Sequence, residues 1–370
     1  MKRAGRMWLL TIVAALAAVG LLVWVSIGQS QATPEKLRAV LAHVGARMPR
    51  VEDKSGVVED PLTPGRPAKL VGKRALDGNW ISAKLGSVPA TLFPSEDDRE
   101  RKPPAARGGL NPCETPDQGY GIFQKWRWGG GAGKLLVPPV ERLDAARGVD
   151  VVFHFAGYEL ARKEVVQADV PLAFLGVGFH SGGLNYRGHL SGRSGLEVLE
   201  NAVKASLKKV EGAPTAINRV ALGAWSAGYD GVSVVLEQGR NVQTVDAVIL
   251  LDGLHASRKD DMAELQLAPF IQFAKRAAAG EAFMFVSYSS VPTDGYASTH
   301  ETGRRLIRSL GGEPLFVERE DMGGMELKEM FSKGAFHARG YRGGGEHDHC
   351  AHLMLYPMAL EALARHWNVR

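Results

Sequence analysis

Arg219-Val220-Ala221-Leu222-Gly223-Ala224-Trp225-Ser226-Ala227-Gly228-Tyr229-Asp230-Gly231 is the stretch on which the reading of this chain turns. Arg219 to Trp225 is apolar enough for a buried strand, and a helix is expected to begin straight after Ser226 and run through Gly231 to Glu237. Ala224 and Gly228 stand two positions before and two positions after the serine. A strand that reverses sharply into a helix forces the residue at the bend into a strained backbone conformation. Side chains two positions away would then collide, so both must be small. The same bend lifts the serine oxygen above the sheet edge and places it at a helix N-terminus, where backbone N–H groups and a partial positive charge gather. A helix N-cap serine, bonded to a free N–H, is the structural alternative.

Outward from this turn the pattern alternates. Strands are expected at Gly133 to Val137, Val149 to Phe155, Leu172 to Phe179, Val245 to Leu251, Ala282 to Tyr288 and Pro314 to Glu318. Helical spacing is expected at Leu196 to Val210, Ala263 to Ala279, Ser298 to Leu310 and Met354 to Trp367. Near-continuous apolar strands separated by helices imply βαβ units: an α/β fold whose mostly parallel central sheet is flanked by helices.

From about residue 119 to the C-terminus the chain resembles the α/β-hydrolase superfamily, on the turn AWSAG, the sheet pattern and the order of its polar residues. The resemblance implies an esterase- or lipase-like serine hydrolase that cleaves an ester or amide by acyl transfer to water. Its parts would be a nucleophile, an oxyanion hole, and an acid and a histidine following in that order. Ser226 matches the nucleophile, with Ala224 where the first glycine of G-x-S-x-G would stand. The N–H of Ala227 matches one oxyanion donor. The other would come from the loop His154-Phe155-Ala156-Gly157-Tyr158, most directly Gly157, although this loop departs from the H-G-G-G form. His154 itself reads equally as a packed strand histidine. The late histidine falls in Gly343-Gly344-Gly345-Glu346-His347-Asp348-His349-Cys350-Ala351-His352, where His349 is favoured over His352 and His347. The acid is Asp252, at the end of VDAVILL, or Asp294, several residues past the next strand. The loop from His180 to Tyr186 lies near the expected crevice and reads as a surface loop.

Two other readings stay open. The chain could keep the fold as a tethered, non-catalytic binding or scaffold module. Alternatively, His347, His349 and His352, with Asp348 and Cys350, could serve a metal-dependent hydrolase, although Ala351 stands where the H-x-H-x-D-H pattern needs an aspartate. No cofactor motif is present: neither a P-loop nor a correctly placed G-x-G-x-x-G occurs, so no cofactor and no resident metal are expected. Nucleic acid is not an expected partner. The net charge is only +5, from 45 basic and 40 acidic residues, and the cations are interleaved with acids. The expected partner is a small-molecule, lipid or polysaccharide ester.

The N-terminus reads as a membrane signal. Lys2, Arg3 and Arg6 precede an uncharged run over residues 7–27, with Trp8 and Trp24 near its ends. At ~1.5 Å per residue such a run spans a hydrocarbon core of ~30 Å, and the preceding cations hold the N-terminus inside. A single-pass anchor is expected, or a cleaved signal peptide ending near Ser30-Gln31-Ala32, with the rest of the chain periplasmic or at the cell surface. There Cys113 and Cys350, the two cysteines, could form a disulfide. Residues 1–28 are thus read as signal anchor or signal peptide and 113–370 as the hydrolase domain. Between them, 29–112 holds ten of the nineteen prolines and reads as a tether or an irregular, loosely packed extension, with one amphipathic helix at Pro34 to Met48.

Overall fold

The computed structural model describes residues 56–71, 111–123, 125–179, 185–192 and 195–369. The membrane run at 7–27, the helix at 34–48, most of the tether and residues 180–184 of the surface loop lie outside them. Among the described residues no helix is long and apolar enough to cross a membrane.

The chain enters with two short strands, β1 (Val57–Val58) and β2 (Ala68–Leu70), then β3 (Arg127–Trp128), β4 (Gly133–Leu136) and β5 (Val149–Phe155). Helix α1 (Tyr158–Ala168) leads to β6 (Ala173–Val177), and α2 (Tyr186–Leu190) and α3 (Gly195–Leu207) lead to β7 (Ile217–Trp225). Next come α4 (Tyr229–Leu236), α5 (Asn241–Thr244), β8 (Ala247–Leu251), the short β9 (Ala256–Ser257), α6 (Asp260–Ala278) and β10 (Phe283–Tyr288). Then β11 (Tyr296–Ala297) pairs antiparallel with β9, and α7 (Thr299–Ser309) follows. The chain closes with β12 (Leu315–Asp321), β13 (Met325–Lys333), β14 (Phe336–Tyr341), α8 (Glu346–Ala351) and α9 (Tyr356–Trp367).

Twelve of these strands form one sheet in the order β1-β2-β12-β13-β14-β10-β8-β7-β5-β6-β4-β3. From β6 through β5, β7, β8 and β10 to β14 every neighbour is parallel; the strands outside that block are antiparallel. Successive residues of the central strands serve opposite faces. Phe153, Leu222, Leu250 and Val286 enter one core with α3, α4, α6 and α7, whereas Val152, Ala221, Ile249 and Phe285 enter the other with α1 and α9. Burial on both faces is why these strands read as unbroken apolar runs.

The strand order fixes where a site can form. The chain steps from β5 outward to β6 and then returns to place β7 on the other side of β5. Crossovers diverge there, so the carboxyl ends of β5 and β7 form the switch point at which doubly wound sheets bind ligands.

Two expectations are amended. Residues 56–71, read as tether, contribute β1 and β2 to the sheet, and Val58, Leu62 and Ala68 pack into the α1 and α9 core. The strand expected at Pro314 to Glu318 is the first of three antiparallel-linked strands, of which β13 and β14 were not anticipated.

Candidate active site

At the end of β7 the backbone turns as the sequence requires. Trp225 is extended, Ser226 has φ of 54°, a left-handed value that costs a non-glycine residue energy, and a short 3-10 turn runs into α4. The neighbours enforce it. A Cβ on Gly228 would stand 2.0 Å from the Phe155 carbonyl oxygen, and one on Gly253 would stand 2.4 Å from the Ser226 carbonyl oxygen. Glycine is therefore needed at the +2 position because backbone, which cannot swing aside, occupies the space. At −2 the methyl of Ala224 is fully buried in the core, so alanine serves there as well as glycine. Ser226 is half-buried and Ala227 exposed. The first N–H groups of such a turn have no intrahelical acceptor, and that of Ala227 is one of them.

Beside the elbow, across β5, Ala156 and Gly157 both have φ of 62°. The Ala156 N–H donates to the Tyr186 hydroxyl at 2.9 Å. The Gly157 N–H has no acceptor among the described residues and belongs to the entry turn of α1. His154 points inward. One ring nitrogen, Nε2, donates to the Ala156 carbonyl at 2.8 Å, and Nδ1 accepts from the Tyr356 hydroxyl at 2.9 Å. Burial pushes its pKa down to about 3 against that carbonyl's pull, so the ring is neutral and braces the loop from below.

On the other side, β8 ends in Asp252, with φ of 43° and 1% exposure. Its carboxylate is fully engaged. Oδ1 accepts from the Ser289 N–H at 2.9 Å and the Thr299 hydroxyl at 2.6 Å; Oδ2 accepts from the Ser289 hydroxyl at 2.8 Å and from His349 Nδ1 at 2.7 Å. Burial alone would raise its pKa. The charge of buried His352, the bond and charge of His349 and the Thr299 hydroxyl outweigh burial and hold it well below the usual carboxylate range. Asp252 is thus an anion at any ordinary pH. Donating from Nδ1 fixes the tautomer of a neutral His349 and leaves a lone pair on its Nε2.

His349 sits in α8, behind the glycines at 343–345. Two contacts tie this short helix down: the Cys113–Cys350 disulfide, with Cα atoms 5.1 Å apart, and the Trp225 indole N–H, which donates to the His349 carbonyl at 3.1 Å. The Trp225 and His349 rings stack, with centroids 4.9 Å apart and planes 27° from parallel. His255, three residues beyond Asp252, stands between Tyr229 and Tyr296 with its Nδ1 on the Ala297 carbonyl, and burial lowers its pKa.

A strained serine after a central strand at the sheet's switch point, and serine, aspartate and histidine in that chain order, coincide in one mixed sheet. This is the α/β-hydrolase fold. No protein-family model matches the chain, and comparison with curated proteins finds no relative. Similar solved structures include a feruloyl esterase module from Clostridium thermocellum, at 13% identity over 68% of this chain and 92% of that one, TM-score 0.38. A bacterial heroin esterase matches at 13% identity over 76% and 95%, TM-score 0.37. An enterobactin esterase from Shigella flexneri matches at 11% identity over 70% and 63%, TM-score 0.36. These superpositions are loose, and the residues above are placed by this chain's own sheet order and elbow.

Within the hydrolase fold, the sequence-derived candidates separate. Asp252 and His349 are joined directly. Asp294 is exposed in the loop before β11, and the carboxylate on His349 is that of Asp252. His352 is buried, with Nδ1 2.7 Å from the Ser287 hydroxyl, and is bonded to neither candidate acid. The metal reading loses its ligands: Cys350 is in a disulfide, His349 is on Asp252, and among the described residues no three His, Cys, Asp or Glu side chains gather as a metal-ligand set. Sequence reasoning missed Trp225, Ser289 and Thr299, and it read Tyr186 as the end of a surface loop, whereas Tyr186 is buried and its hydroxyl accepts from the Ala156 N–H. Among the missed residues Thr299 had a signal, since Ser298 and Glu301 form a capping box that places it in the first turn of α7.

Proposed function

We propose that the protein is a serine hydrolase that cleaves a carboxylic ester, with Ser226 as nucleophile, His349 as general base and Asp252 as the acid. The observation that carries this reading is the 2.7 Å bond between His349 Nδ1 and Asp252 Oδ2 beside a serine held at positive φ. Buried carboxylate, imidazole and strained hydroxyl are three costly arrangements, and acyl transfer needs all three at once.

In the proposed cycle Ser226 Oγ attacks the ester carbonyl carbon and His349 Nε2 takes its proton. Asp252 stabilises the imidazolium without being protonated. The oxyanion is met by the N–H groups of Ala227 and Gly157, the second because the Ala156 N–H is occupied by Tyr186. The C–O bond to the leaving alcohol breaks as His349 returns the proton to it. Water, deprotonated by His349, then releases the acid from Ser226 by the reverse of the first step. Small-molecule, lipid and polysaccharide esters are the substrate classes proposed.

We place this chemistry in an oxidising, extracytoplasmic compartment, with residues 7–27 as anchor or signal. The Cys113–Cys350 bond supports that placement, because such bonds persist where thiols are not kept reduced.

Labelling with a fluorophosphonate probe tests the reading. The wild-type protein should be labelled, Ser226→Ala should not, and His349→Gln should be labelled at least 100-fold more slowly, the size of effect general-base catalysis supplies. A folded wild-type protein that remains unlabelled would leave the fold as a binding module.

A further inference from the structure

We infer that Trp225, the residue immediately before the elbow serine, is a positioning residue that aligns the imidazole of His349 and the oxyanion loop at Gly157 with Ser226; this rests on the hydrolase reading above. A single bond from Nδ1 to Asp252 fixes the tautomer and one end of the imidazole, yet leaves the ring free to rotate about the line of that bond. A flat surface against the ring removes the rotation. The Trp225 indole is such a surface, with centroids 4.9 Å from His349 and planes 27° apart. Its Nε1–H also holds the His349 backbone through the carbonyl at 3.1 Å, so one side chain grips both the ring and the main chain of the base.

The same indole meets the oxyanion loop. A Cβ on Gly157 would lie 2.6 Å from indole Cε3, so residue 157 approaches closely enough to exclude any side chain. Trp225 is the last residue of β7 and is covalently joined to Ser226. Nucleophile, base and one oxyanion donor therefore meet through one rigid aromatic group. Stacking also favours a charged imidazole over a neutral one, because the indole face attracts cations. The groups facing the His349 ring are Asp252 at Nδ1, the Trp225 face and, within electrostatic range, His255 on the loop after β8.

Two measurements on the full chain test this. In hydrolysis of p-nitrophenyl acetate, Trp225→Leu should lower kcat about 10–100-fold with KM within threefold, the scale on which misplacing a reacting group by ~1 Å acts. Trp225→Phe, which keeps a ring and loses the N–H, should fall between. In parallel, indole emission is followed from about pH 5 to 8, where histidine charge changes. The wild-type minus Trp225→Phe difference should quench on acidification, because a protonated imidazole against an indole quenches it, and His349→Gln should abolish that change. Unaltered kcat in a folded Trp225→Leu protein, or a pH-dependent difference that survives His349→Gln, overturns the inference. Should the wild type hydrolyse no ester, the hydrolase reading fails, and emission alone decides whether the indole holds His349.

Discussion

A carboxylate can brace an imidazole only if its own lone pairs are otherwise satisfied, since a buried charge with vacant acceptors is costly. Asp252 meets that condition through Ser289, Thr299 and His349, whereas Asp294 is exposed before β11 and is not the carboxylate on His349. Both aspartates end or follow a strand at the same sheet edge, so sequence position left the choice between them open. The deciding partners, Ser289 and Thr299, lie 37 and 47 residues from Asp252; Ser289 carries no mark in the sequence, and the capping box beside Thr299 marks its place in α7 but not its bond to Asp252. Asp252→Asn should lower kcat by about 10²–10⁴-fold, because the amide favours the wrong imidazole tautomer and does not stabilise the imidazolium. Asp294→Asn should stay within twofold of wild type. Steady-state kinetics with p-nitrophenyl acetate checks both, and a larger loss at Asp294 would reverse the assignment.

Among the elements, the central parallel strands and the elbow were legible because burial on both faces writes itself as continuous apolar sequence. The outer strands were not. In β13 the run Met325–Lys333 buries Met325, Leu327 and Met330 but interleaves them with Glu326, Lys328 and Glu329, the last itself buried, so it lacks the unbroken apolar signature of β8 or β10. Helix α8 is shorter still, only Glu346–Ala351, and could not hold a histidine by its own hydrogen bonds. Its covalent anchor is the bond from Cys350 to Cys113, closing 237 residues of chain, beside the Trp225 bond to the His349 carbonyl. Removing that bond should cost on the order of 2–5 kcal/mol of stability. It should also slow fluorophosphonate labelling, because the residue next to His349 comes loose. Cys113→Ser should therefore lower both Tm and labelling rate relative to wild type, and dithiothreitol should reproduce the effect in the wild type alone. An unchanged Tm in the variant would mean that α8 is secured without the bond.

Across the folded unit, residues 56–71 are held to the sheet by charge as well as by apolar packing. Asp60 is fully buried between Arg339, also fully buried, and Arg319, whose Nη2 lies 2.9 Å from Asp60 Oδ2. The partners are 279 and 259 residues apart in sequence, which is why a stretch with prolines at 61, 64 and 67 read as tether. Burial would raise the Asp60 pKa, but the charge and hydrogen bond of Arg339, then the charge of Arg319, overcome it and bring the carboxyl down to about 2. The folded-state value lies below the ordinary 3.8, so the pair stabilises the fold fully above about pH 4 and loses that contribution as pH falls towards 2. Asp60→Asn leaves the Arg339 guanidinium buried without its counter-charge and should cost about 3–5 kcal/mol at neutral pH. Arg319 keeps Asp321, bonded at 2.8 Å, so the loss falls mainly on Arg339. Urea unfolding from pH 7 down to pH 2 measures both effects. The wild type should lose its advantage over Asp60→Asn as the acid range is entered; a gap that stays constant to pH 2 would mean that Asp60 is not the anion that fastens this segment to the sheet.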